Sequence, residues 1–184
     1  MKMIDTSLEG LKIFELKKYS DPRGYFTERF KSDHPEFKKY FSNYIQDNHS
    51  WSHPNVIRGV HYQRDPDQGK LVGVIRGRIL DVAVDLRENS KTFGQHFSIE
   101  LSDENALMLW LPAGFGHGFS VLGDQPADVI YKVNGHYNPS GEGGIVYNDS
   151  ELKIDWKVAR PILNDKDLKL PTFADYKKRP LFHI

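Results

Sequence analysis

Between residues 71 and 133 the chain is cut into short apolar runs, each closed by glycine, proline, asparagine or charged turn residues. Leu71–Ile75 and Ile79–Leu86 are rich in valine, isoleucine and leucine. His96–Leu101 alternates, with Phe97, Ile99 and Leu101 on one side. Ala106–Leu111, Phe119–Leu122 and Asp128–Val133 follow. Strands recurring roughly every ten residues with turn signals between them predict an all-β sandwich or barrel. Arg76-Gly77 reads as a hairpin turn and Asn134-Gly135 as a further turn. In Ile79–Leu86, Leu80, Val82, Val84 and Leu86 share one face, and Ile79, Asp81, Ala83 and Asp85 the other.

Helix is scarce. Asp33–Tyr44 places Phe37, Tyr40, Phe41 and Tyr44 on one helical face, with Ser32 or Asp33 as cap and Pro35 in the first turn. A weaker helical turn is expected over Asp165–Leu170, before Pro171. The expected fold class is therefore mainly β with one or two short helices, a single domain over residues 1–184.

Composition removes several functions. The 25 basic residues cancel the 25 acidic ones, so a nucleic-acid partner is not expected. A small anionic ligand, which needs only a few local arginines or lysines, stays open. With 0 cysteines, thiolate catalysis, disulfides and cysteine-held zinc are excluded. Met1–Gly10 lacks the apolar core of a signal peptide, and the longest near-apolar run, Ala106–Phe115, contains proline and glycine. The expectation is a soluble cytoplasmic protein with no membrane partner.

Pro112-Ala113-Gly114-Phe115-Gly116-His117 resembles the second motif of the cupin jelly rolls, in which a tight turn delivers a histidine into the barrel. In metal-binding cupins that histidine joins a His-x-His and a glutamate. Here the matching segment, Gly59-Val60-His61-Tyr62-Gln63, carries one histidine. Two separated histidines do not supply the three donors that a catalytic metal requires, so neither metal nor other cofactor is expected.

A longer series is more specific. Asp21-Pro22-Arg23-Gly24-Tyr25-Phe26, Gln46-Asp47-Asn48-His49-Ser50, Arg58-Gly59-Val60-His61-Tyr62-Gln63 and Gln68-Gly69-Lys70-Leu71-Val72 occur in that order. Asp81–Arg87, Pro112–Phe119, Tyr131-Lys132, Tyr137, Glu142 and Lys166-Asp167 continue it. The series resembles the dTDP-4-dehydrorhamnose 3,5-epimerase family over Gly10–Pro171. The resemblance implies a cupin jelly-roll barrel that inverts two carbons flanking a ketone on a nucleotide-linked sugar. It also implies dTDP-L-rhamnose synthesis for lipopolysaccharide or cell-wall polysaccharide.

By match to the family, His61 is the base, Asp167 its hydrogen-bonding partner with Asp165 as the alternative, and Tyr131 the acid. Lys70, with Arg58, steadies the enolate oxygen, and His117 contacts the substrate. Such roles agree with the chemistry, since imidazole titrates near neutral pH and a phenol can reprotonate a strongly basic enolate. Arg23 and Arg58 suit the diphosphate. Tyr137 matches the residue that stacks on thymine. Phe26, Glu28, Gln46, Asn48, Glu142 and Lys166 match further nucleotide or sugar contacts. The resemblance implies a homodimer in which an N-terminal strand crosses to the partner, so Arg23, Phe26 and Glu28 are expected to serve the neighbouring subunit. Rival readings are a single-site epimerase or ketoisomerase on a related dTDP-4-keto sugar, a metal-dependent cupin oxygenase, and a non-catalytic sugar-binding cupin.

Overall fold

The computed structural model describes residues 1–40 and 44–184. The first half contains strands β1 (Lys2–Asp5), β2 (Lys12–Glu15), β3 (Lys18–Asp21) and β4 (Gly24–Thr27), helix α1 (Pro35–Tyr40), then β5 (Gln46–Ser52), β6 (Ile57–Gln63), β7 (Lys70–Arg76) and β8 (Arg78–Asp85). The second half contains β9 (Arg87–Glu88), β10 (His96–Ser102), β11 (Leu107–Leu111), β12 (Phe115–Val121), β13 (Ala127–Val133), β14 (Glu142–Gly144), helix α2 (Phe173–Lys178) and β15 (Phe182–His183). A short 3₁₀ turn covers Asp167–Lys169.

Two antiparallel sheets form the body. One runs β1-β2-β11-β7-β13-β5 and the other β10-β8-β12-β6-β14. This is the cupin-like jelly roll that the motif implied. Three apolar layers result. Val72, Val74, Ile79, Ala83, Leu109, Phe115, Phe119 and Val129 fill the space between the sheets. Val82, Val84 and Leu86 point out of the second sheet and are covered by Trp156, Phe173, Tyr176 and Phe182. Leu71, Met108 and Trp110 leave the first sheet on its outer side and meet Phe14 and Phe37. Burial on both faces explains why β8 and β11 read as nearly continuous apolar runs, each fully buried side chain contributing roughly 1.5–3 kcal/mol.

Several expectations change. Arg76-Gly77 is not a hairpin turn, because β7 pairs with β11 and β13 while β8 pairs with β10 and β12. It is the corner where the chain passes between sheets. Gly77 has φ +78°, and a Cβ there would lie 2.4 Å from the Pro126 carbonyl oxygen, so a side chain cannot be accommodated. Among the described residues, the helix expected over Asp33–Tyr44 covers Pro35–Tyr40, and Asp33, His34 and Tyr44 are not helical; Phe41 lies outside the described residues. The strand expected over Phe119–Leu122 begins earlier, at Phe115, because Gly116 and Gly118 concealed its period. The turn near Asp165–Leu170 is 3₁₀ and shorter than expected. Helix α2 is not among the expected elements; it is opened at its N-terminus by a Thr172–Asp175 capping box.

The β3–β4 hairpin stands apart, pairing with neither large sheet. It exposes Tyr19, Tyr25 and Phe26 at 49%, 53% and 65%. Among the described residues no helix is long and apolar enough to cross a membrane.

Candidate active site

The two sheets open at one end into adjoining cavities. The larger, about 290 Å³, is lined by Gln46, Asn48, His61, Lys70, Tyr131, Tyr137 and Glu142, with Gln63 and Gln68 among the rest. The deeper, about 150 Å³, is lined by Arg58, His61, Lys70, His117, Tyr131 and Asp167, together with Ser50, Phe119 and Asn164. His61, Lys70 and Tyr131 border both. His61 comes from β6 in the five-stranded sheet, whereas Lys70 (β7) and Tyr131 (β13) come from the six-stranded one. The imidazole and the phenol therefore stand on opposing walls.

Each wall is built by simple packing. Tyr131 alternates with Val129 and Val133, both fully buried, and this period turns its ring inward. On β6, Gly59 (φ +118°) lets the strand approach β12, since a Cβ would lie 2.6 Å from Gly118 Cα and 2.7 Å from the His117 carbonyl oxygen. That approach brings His61 and His117 into register as direct cross-strand partners.

His61 Nε2 lies 2.7 Å from Asp167 Oδ1, and the Gly59 amide donates to Oδ2 at 3.2 Å. A carboxylate can only accept, so Nε2 donates to Asp167, and Nδ1 is the ring nitrogen left to act as base. Asp167 is buried and Asp165 exposed; the Asn164 side chain caps the Asp167 amide at 2.7 Å and fixes the turn. Burial alone would raise the Asp167 pKa, but the hydrogen bond and charge of His61, the Gly59 amide and Lys166 together hold it below the usual range.

The other side chains are tuned by the same means. Desolvation pulls the Lys70 ammonium down to about 8, and the carboxylates of Asp81 and Glu142 oppose the fall. Burial raises the Tyr131 phenol, with Glu142 adding and Arg58 subtracting, so it stays protonated at neutral pH. At the mouth, Tyr137 donates to Glu142 Oε2 at 2.9 Å and Lys166 pairs with the same oxygen at 2.6 Å. Burial opposes ionisation of Glu142, but these two bonds and the charges of Lys166 and His61 bring its pKa below normal. Arg58 is held by Ser52 Oγ at 3.0 Å and the Trp51 carbonyl at 3.3 Å.

Three expected site residues lie elsewhere in this chain. Arg23 and Phe26 sit on the exposed β3–β4 hairpin, where Arg23 pairs with Asp21 at 2.6 Å. Glu28 borders a different cavity with Lys17, Tyr19 and Lys31. Among the described residues no three histidines, aspartates or glutamates group as metal ligands.

Residues 5–175 match the family described as dTDP-4-dehydrorhamnose 3,5-epimerase. The chain belongs to this family. A dTDP-4-dehydrorhamnose 3,5-epimerase of Shigella flexneri is 44% identical over 183 residues, covering 95% of this chain and 97% of its own length. A crystal structure of dTDP-6-deoxy-D-glucose-3,5-epimerase from Legionella pneumophila, in complex with dTDP-4-keto-L-rhamnose, superposes with a TM-score of 0.93 at 40% identity, covering 100% of this chain and 98% of that one. ChmJ, a 3'-monoepimerase of Streptomyces bikiniensis solved with dTDP-quinovose, superposes at 0.89 with 33% identity, covering 97% and 91%.

Within this epimerase fold, sequence reasoning missed Ser50, Asn164 and Asp81. Asp81 is fully buried and lies within 3.0 Å and 3.2 Å, through its two oxygens, of His117 Nε2. It carried a signal: an acid on the core-facing side of an apolar strand must have a buried partner.

Proposed function

We propose that this chain is an isomerase that inverts carbons 3 and 5 of dTDP-4-dehydro-6-deoxy-D-glucose to give dTDP-4-dehydro-L-rhamnose. The observation that carries the reading is the His61–Asp167 pair facing Tyr131 across a cavity floored by Lys70, in a chain of this family. The ketone at carbon 4 acidifies the hydrogens on both neighbours. His61 Nδ1 takes one proton, and Asp167 stabilises the resulting imidazolium. The electron pair moves into the ketone, and the developing enolate oxygen is met by the Lys70 ammonium and the Arg58 guanidinium. Tyr131 returns a proton from the opposite wall; the His61 imidazolium then releases its proton to solvent and the Tyr131 phenolate takes one up, which resets both groups. Repetition at the other carbon completes an isomerisation that consumes nothing and needs no redox group.

Support for binding is local. Gln46, Asn48, Tyr137 and Glu142 line the larger cavity, Lys166 pairs with Glu142 beside it, and His117 borders the deeper one; the nucleotide is assigned to the larger cavity. Arg23, Phe26 and Glu28 are assigned to the cavity of a second copy, reached by the exposed β3–β4 hairpin in a homodimer. Residues 1–184 act as one functional domain. A cytoplasmic setting belongs to the same reading, because a charged nucleotide diphosphate does not cross a bilayer unaided. Rhamnose for surface polysaccharide is the corresponding destination.

The likeness to ChmJ favours a second reading, inversion at carbon 3 alone. One experiment tests both: incubation with dTDP-4-dehydro-6-deoxy-D-glucose in deuterated water, followed by proton NMR. Deuterium and inverted configuration at both carbons support the double epimerase. Inversion at carbon 3 alone supports the second reading. Unchanged substrate refutes both.

A further inference from the structure

The strand pairing that frames the larger cavity stops at Val133, opposite Lys70, and resumes at Glu142, opposite Gln63. The residues between, 134–141, carry Tyr137, which lines that cavity and is 58% exposed. A ring so exposed gains little from burial, so its place is set by bonds to its hydroxyl and to the backbone beside it. Glu142 holds the hydroxyl. The backbone is held by two glutamine side chains, one from each end of the β6–β7 connection.

On one side of Tyr137, Gln68 Nε2 donates to the Gly135 carbonyl at 2.6 Å. On the other, Gln63 Nε2 donates to the Asn138 carbonyl at 3.1 Å, and the Asn138 amide donates to Gln63 Oε1 at 3.3 Å. Gln63 thus meets one residue's donor and acceptor together, as a neighbouring strand would. It follows His61 by two residues on β6, shares its cavity-facing side and is buried. The Arg64 carbonyl accepts from the same Nε2 at 2.8 Å, so the buried amide is satisfied only while the loop stays in place.

We propose that Gln63 and Gln68 are positioning residues for nucleotide binding, clamping the backbone on both sides of Tyr137 so that its ring stands ready as a platform for the planar base of a nucleoside diphosphate. The proposal rests on the reading of the larger cavity as the nucleotide site. A loop without strand partners samples many conformations, and ordering it on binding costs affinity; a platform fixed in the free protein avoids that cost. Both glutamines line the cavity, yet their donor nitrogens are turned to the loop backbone, so they act through Tyr137 rather than by touching the base.

The test is a double-mutant cycle on the full chain, read by calorimetry with dTDP. Tyr137→Ala should raise the dissociation constant about 5- to 150-fold, the range for loss of one aromatic–base stack. Gln68→Ala and Gln63→Met should each raise it about fivefold, a part of that range, with KM rising in step and kcat changing less than about twofold. In the Tyr137→Ala background each glutamine substitution should change dTDP affinity less than about twofold, because the ring it positions is gone. Unchanged dTDP affinity in either glutamine variant overturns the proposal. So does a loss that persists undiminished in Tyr137→Ala, which marks direct contact or general loosening of the cavity. If Tyr137→Ala itself binds dTDP as wild type does, the reading of the larger cavity fails and the proposal falls with it, an outcome told apart by that single variant. Should Gln63→Met not fold, Gln68→Ala, at a half-buried position, decides by the same cycle.

Discussion

The Lys70 ammonium gives the sharpest quantitative expectation. Its pKa is drawn from the ordinary 10.5 down to about 8, chiefly by desolvation. If the charged form is required to meet the enolate oxygen, roughly nine-tenths of the enzyme is competent at pH 7 and one-tenth at pH 9, so kcat/KM should fall about tenfold per unit above pH 8. Replacing Lys70 with Gln should lower kcat at pH 7 by about 100-fold or more, in line with loss of one oxyanion donor, and should erase the alkaline limb. Stability supplies an independent check. The folded-state pKa of this base is depressed, so between pH 8 and 10.5 the unfolded chain binds more protons than the folded one, and wild type gains stability as pH rises through that window. A shift of that size is worth roughly 3 kcal/mol at about 1.4 kcal/mol per unit. Because Lys70 keeps some solvent contact, a gain of about 2 kcal/mol relative to Lys70→Gln is expected. Initial rates from pH 6 to 10 and urea melts at pH 7.5 and 10 provide both readouts. A wild-type profile flat to pH 10, or an alkaline limb that persists in Lys70→Gln, would refute the reasoning and move the limb to another group such as Tyr131.

Further outcomes follow from the same geometry. His61→Asn should lower turnover by about 100- to 10,000-fold while dTDP affinity, measured by calorimetry, changes little; near-normal deuterium exchange at both carbons would place the base elsewhere. Tyr131→Phe keeps its packing beside Val129 and Val133 but removes the donor on the far wall, so deuterium should still enter the sugar while inversion falls about 100-fold. Equal loss of both would mark Tyr131 as a packing residue. Exhaustive dialysis against a chelator should leave activity intact, since among the described residues no three histidines, aspartates or glutamates group as metal ligands; recovery on adding a divalent ion after a loss would contradict this. Gly59→Ala should destabilise the fold by more than about 2 kcal/mol in a thermal melt, because the added Cβ meets the β12 backbone at a positive φ.

The parts of the fold that could be read from the sequence are those where local pattern and tertiary burial agree. β10 and β13 alternate because one face meets the inter-sheet core, and their periods survive inspection. β12 does not, because Gly116 and Gly118 are small to admit Val60, Leu86 and Trp156, a requirement that belongs to neighbouring strands. The sheet change at Gly77 was equally hidden, since a corner and a hairpin use the same residues. In the site, motif matching led to His61, Lys70, Tyr131 and Asp167, and these converge. The match to the family favours Asp167 and keeps Asp165 as the alternative; the structure separates them by which carboxylate the 3₁₀ turn points at Gly59 and His61.

Asp81 shows the opposite case, a residue inside the motif series to which the match assigns no role. Two histidines stand as cross-strand neighbours, and each is tied through Nε2 to a buried aspartate. The pairs differ in what surrounds them. Asp167 receives His61, a backbone amide and the field of Lys166, so its charge is spent on the base it orients. Asp81 receives His117, which lines the deeper cavity, and among the described residues has no backbone amide on it. The antiparallel register of β6, β12 and β8 produces both pairs. It sets the two histidines side by side and sends their aspartates to different places, one on the turn at Asp167–Lys169 and one in the middle of β8.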